Sequence, residues 1–124
     1  MSNQSERRVG TRIEILNDLI QHRASVTDAT EQLAEFPWDS DDELVILTRP
    51  DVLATLAKLL RDNLSADDVE RWADVLEVRD DVGLESAHEH VLRQFLYEAS
   101  TPETEGPLTA EWAEAWVLRL TGLA

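Results

Sequence analysis

The chain has no cysteine, so neither a disulfide framework nor a thiolate metal site can be built from it. Glycine is scarce, four residues in 124 and none clustered, which removes the Gly-rich loops that cradle phosphates. No nucleophile elbow and no Ser/His/Asp set can be assembled either. Long apolar runs are absent: Met1 to Gly10 is polar and lacks the core of a signal peptide, and no stretch is long enough to span a bilayer. The expectation is a soluble, intracellular, cytoplasmic protein. Basic residues are few, 11 against 26 acidic ones, for a net charge of −15. Such a surface disfavours nucleic acid and anionic membrane and favours a basic protein partner. The alternative is that the acidity serves solubility alone.

The acids are unevenly spread. Residues 25–48 hold seven of them and no base, whereas residues 1–24 carry a net +1. Length places the chain in one domain with a proper core. Residues 1–10 read as a mobile arm ahead of a domain spanning 11–124, its Arg7 and Arg8, with Arg12 just beyond, free to fold against the acidic body.

What is present in strength is a capped amphipathic helix. Ser65 followed three residues later by Asp68 spells a helix start, and Val69, Trp72, Ala73 and Leu76 fall on one apolar stripe. The design returns at Thr109, where Trp116 and Leu120 stand for Trp72 and Leu76, and more faintly at Ser25 and Asp28. A first helix is expected from Thr11, boxed with Glu14, to about His22, and a second from Ser25 or Thr27 until Pro37 forbids it. Leu44–Leu47 reads as a short, buried, extended segment. Thr48 caps a third helix with Pro50 in its first turn and Asp51 at N3, apolar on more than one face and expected to be the most buried. Glu77–Gly83 reads as a polar turn, Leu84–Ser100 as the fifth helix and Thr101–Pro107 as a loop. The fold class is therefore all-α, a compact bundle of about six helices. Its three helix pairs step along the chain at about forty residues, so three consecutive helical hairpins in one domain are expected rather than a repeat array.

Candidate chemistry is thin. Glu85-x-x-His88 has the spacing that puts both side chains on one helix face, as in di-iron bundles, and Glu89 lies beside it, but no second copy exists. His22 is expected to meet the negative end of the first helix dipole. Asp39, Asp41 and Glu43 alternate as in a calcium loop, yet the glycine and the closing glutamate of that loop are missing. No cofactor or metal is called for, and an enzyme is not the reading adopted. Trp72, Trp116 and Phe95 lie on core stripes. Trp38 lies off any stripe between Pro37 and an acidic run, where it is either an exposed hot spot or a plug for the core.

From Trp38 to Leu120 the chain resembles a group of small acidic bacterial helical proteins, through Trp38-Asp39-Ser40-Asp41, Leu47-Thr48-Arg49, Leu64–Ala73, Arg79–Gly83 and Gly106–Thr109. The opening Leu64-Ser65-Ala66-Asp67-Asp68-Val69 is also similar to that of immunity proteins of colicin-type toxin systems. The second resemblance implies a small acidic helical protein that neutralises a basic toxin domain. The reading is a non-catalytic, acidic protein-binding module of immunity or inhibitor type. Its partner face is built from Trp38, Asp39, Asp41, Asp42 and Glu43 with Asp80 and Asp81. A self-assembling or adaptor protein, as a homodimer, is the alternative; a metal enzyme using Glu85, His88 and Glu89 is a third.

Overall fold

In a computed structural model the described residues are 4–37 and 40–122, with side chains from Arg12 on. They form α1 (Gln4–Ile20), α2 (Val26–Leu33), β1 (Val45–Leu47), α3 (Arg49–Leu60), α4 (Ala66–Val78), β2 (Val82–Leu84), a 3-10 turn at Ser86–His88, α5 (Glu89–Ser100), the single turn α6 (Pro102–Glu105) and α7 (Ala110–Thr121). The architecture is a helical bundle with one two-stranded parallel sheet.

Four helices start where local chemistry directs. The hydroxyls of Ser25, Thr48, Ser65 and Thr109 accept the backbone N–H three residues on, and Asp51 and Asp68 complete reciprocal capping boxes. Thr11 does not cap. It lies inside α1, which begins at Gln4, so the expected arm is helical from there on. Gly10 costs a helix only about 1 kcal/mol, and the polar residues before it are adequate helix formers. At the other end, His22 (φ 59°) and Asp62 (φ 62°) adopt the left-handed conformation that closes α1 and α3. The N–H groups just after them, on Arg23 and Asn63, donate back to Asp18 and Lys58 at 2.8 Å.

The core gathers around Trp72 and Phe95, both fully buried, with Leu16, Leu19, Leu56, Val69 and Leu92. The Trp72 indole N–H donates to the Leu19 carbonyl at 3.1 Å, tying α4 to α1. Phe95 stands edge-on to Trp72 and to Trp116, with ring centroids 6.5 and 5.3 Å away, and stacks on Trp112 at 5.6 Å. Glu98 accepts from both indole N–H groups, at 3.2 Å from Trp112 and 3.1 Å from Trp116, which joins α5 to α7. Burial raises the Glu98 pKa, but the hydrogen bonds from Gln94, Trp116 and Trp112 and the charge of Arg119 outweigh it and hold the carboxyl below its usual range.

Helix pairing departs from consecutive hairpins. The first pair, α1 with α2, is as expected, but α4 packs on α5 and α3 packs on α7 across the chain. Nor is α3 the most buried helix: it fully covers Val52, Thr55 and Leu56, whereas α5 covers Leu92, Phe95, Leu96, Ala99 and Ser100. The extended segment at 44–47 is present as β1, with Val45 and Leu47 inward and Ile46 46% exposed, the alternation of a half-buried strand. Its partner, β2, falls partly in the expected polar turn and takes Leu84 from the expected fifth helix. The register is Val45 to Val82, Ile46 to Gly83 and Leu47 to Leu84.

Candidate functional site

The strand pairing brings the acidic connector against the Arg79-Asp80-Asp81 turn. The N–H groups of Leu44 and Val45 donate to the Asp81 carbonyl at 2.8 and 3.2 Å. Immediately before them, the Glu43 carboxylate lies over Gly83, in the space into which a side chain there would project. Glu43 and Asp80 thus line one cleft of about 360 Å³ with Glu77, Glu89, Arg79 and Arg93, between the end of α4, β2 and the start of α5. Glu43, Asp80 and Glu89 are exposed, as are Asp41 and Asp42 on the connector. Arg93 is paired with Glu89 at 2.8 Å, an i,i+4 surface pair worth little by itself.

Asp81 does not belong to that face. Its side chain is 0% exposed and sits between two guanidinium groups. Arg79 clamps it through Nε to Oδ1 and Nη2 to Oδ2, both at 2.9 Å, while Arg12 donates to Oδ2 from Nε at 2.9 Å and lies within 2.8 Å through Nη2. Arg12 also donates to the Pro37 carbonyl at 3.0 Å and lies over the Phe36 ring. Burial pushes the Asp81 carboxyl up; the hydrogen bonds and charges of Arg79 and Arg12 overcome this and hold it below its ordinary range. An aspartate so enclosed is a structural tie, binding α1, the segment after α2 and the turn between α4 and β2. Arg12, expected as a neighbour of the loose arm, is the far half of that tie.

Of the remaining expected face, Trp38 and Asp39 lie outside the described residues. Asp41, Asp42, Glu43 and Asp80 take part in no ion pair among the described residues, so their charge is available to a partner. Glu85 is engaged otherwise: its Oε1 accepts the Arg49 N–H at 3.0 Å at the start of α3. Among the described residues no group of three or more His, Asp or Glu side chains is arranged to hold a metal ion.

His22 differs from expectation. Its ring lies tilted against Trp72 with centroids 5.1 Å apart, and Nε2 lies 2.8 Å from the buried Thr55 hydroxyl. Desolvation, helped by Lys58 and opposed by Asp68, lowers its pKa to about 4. At neutral pH the imidazole is therefore uncharged and packs, half-buried, against the core, instead of meeting a helix dipole as a cation. The roles missed are those of Arg79, which clamps a neighbour two residues on, and of Thr55, which meets His22 from 33 residues away; Arg12 does fold against an acid of the body, but a buried one.

No protein-family model, curated protein or solved structure matches the chain.

Proposed function

We propose that this protein is a non-catalytic acidic binding module for a basic protein partner, most concretely an inhibitor of immunity type directed at a toxin-like domain. One observation carries the reading: the parallel β1/β2 pairing gathers Glu43 and Asp80, with Glu77 and Glu89, on one cleft beside the exposed Asp41 and Asp42. The backbone beneath Glu43 and Asp80 is tied down through Arg12, Asp81 and Arg79, which limits the ordering that binding requires. Clustered like charge steers an oppositely charged partner and raises its association rate. Among the described residues no helix is long and apolar enough to cross a membrane; we place the protein in the cytoplasm.

The test is affinity capture from the native host with the wild type and with a variant carrying Asp41→Asn, Asp42→Asn, Glu43→Gln and Asp80→Asn. A basic protein retained at low salt by the wild type and lost with the variant supports the reading. Retention of the same proteins by both counts against it. Self-assembly is favoured by a separate observation, the 74% exposed Leu118 on α7; a dimer by light scattering that Leu118→Ser converts to monomer would support that second reading.

A further inference from the structure

A second surface, adjoining the Glu43–Asp80 cleft at Arg79, lies between α2 and α4. A groove of about 350 Å³ runs there, walled by Leu33, Ala34 and Phe36 on one side and Val75 and Val78 on the other. Val78 is 51% exposed although it is a large apolar residue. The charge on and next to the groove is mostly acidic. Asp74 lines it directly, and the exposed Glu31 and Glu35 adjoin the lining residues Thr30, Ala34 and Phe36 in the chain. The segment from Val26 to Phe36 contains no base, and α4 carries five acids against Arg71 alone. Arg79, the one cation lining the groove, is spent on the buried Asp81. An apolar slot with acidic neighbours complements a segment that offers apolar side chains flanked by cationic ones, as a basic amphipathic helix does.

We propose that the α2/α4 groove is the apolar anchor site for the basic partner, receiving one face of an amphipathic basic helix between Val78 and Phe36 while Glu31, Glu35 and Asp74 meet its cationic flanks. This rests on the basic-partner reading and adds to it the recognition element: steering belongs to the acidic connector, and residence time belongs to the groove. Apolar anchors seated in a pocket chiefly govern dissociation, whereas exposed charges chiefly govern association.

The probe is a synthetic helical peptide of alternating leucine and lysine faces, titrated into the full chain by calorimetry. Two control peptides replace the leucines by serine or the lysines by glutamate. The leucine/lysine peptide is expected to bind at least about tenfold more tightly than the serine/lysine peptide, about 1.4 kcal/mol. Val78→Asp should weaken that peptide about tenfold even though it makes the protein more acidic, a sign that charge attraction alone cannot produce. Ala34→Trp, which fills the groove at unchanged charge, should do the same, and far-UV circular dichroism confirms that both variants are folded. Failure of the leucine/lysine peptide to bind, equal binding of the serine peptide, or unchanged affinity in both variants overturns the groove. The last two results leave the basic-partner reading standing. A leucine/glutamate peptide that binds as tightly as leucine/lysine overturns the charge reading instead.

Discussion

Asp80 and Asp81 are adjacent and chemically identical, and the structure assigns them opposite roles, so exchanging each for asparagine is a sharp test. Asparagine keeps the size and one carbonyl acceptor, which isolates the charge. At Asp81 the change leaves the guanidinium groups of Arg12 and Arg79, only 10% and 11% exposed, facing a neutral partner. Removing one member of a buried ion pair costs about 3–5 kcal/mol because the remaining charge is already desolvated. That is a large part of the roughly 5–15 kcal/mol that holds a domain together. For a chain of this size it corresponds to a fall in Tm of about 10–20 °C. At Asp80 the same exchange touches only solvent and should change stability by less than about 0.5 kcal/mol, in the stabilising direction because it relieves self-repulsion. Urea denaturation followed by far-UV circular dichroism reads both, and the slope should match the wild type in each case. The pH dependence sharpens the point. The Asp81 pKa is lowered in the folded state from 3.8, so its contribution is complete above that value and is lost as pH falls below it. The gap between wild type and Asp81→Asn should therefore be full at neutral pH and close in acid. If the two variants share a midpoint at pH 7, the tie is not what holds this end of the fold.

Other outcomes follow from the same geometry. Trp72→Ala empties the centre of the core and should cost about 3–5 kcal/mol by denaturation; a loss under 1 kcal/mol would remove Trp72 from the centre. Ser65→Ala should cost about 0.5–2 kcal/mol, since the Asp68 N–H loses its acceptor, and an unchanged midpoint would place the helix start elsewhere. His22 has a folded pKa of about 4 against 6.5, so the unfolded chain binds more protons between those values and stability should rise with pH across that window. His22→Gln should flatten the rise, and an NMR titration giving a pKa near 6.5 would contradict the tilted, desolvated ring. Thermal stability should increase from low salt to about 0.1 M, where the Debye length is about 10 Å, because screening relieves the repulsion of a −15 chain; a decrease would mean that the arginine pairs dominate.

What was legible in the sequence was what local chemistry decides. Ser25, Thr48, Ser65 and Thr109 each cap a helix, and the stripe Val69, Trp72, Ala73 and Leu76 is buried as its spacing implies. Thr11 and Glu14 have the same spelling and fail, because a cap matters only where a helix has reason to begin, and the residues before Thr11 already sustain one. β2 was hidden: Val82 and Gly83 read as the end of a turn and Leu84 as the start of a helix, and their pairing with Val45–Leu47 is a tertiary event. The same pairing puts Glu43 beside Asp80, which the sequence suggested only as two acidic stretches. Arg79 adjoins both Asp80 and Asp81 in the chain, and what buries Asp81 between two guanidinium groups is Arg12, 69 residues away. Nor could spacing show that the left-handed turn at His22 carries its ring back over Trp72.

The central claim is that the exposed acids around the Glu43–Asp80 cleft steer a basic partner, and association kinetics test it most directly. With the captured partner immobilised, the association rate is measured for the wild type and for the Asp41/Asp42/Glu43/Asp80 neutralised variant over a range of ionic strength. The account predicts slower association of the variant at low salt, with the two rates converging as salt rises and screening removes the steering. Equal association rates at every salt concentration would contradict it.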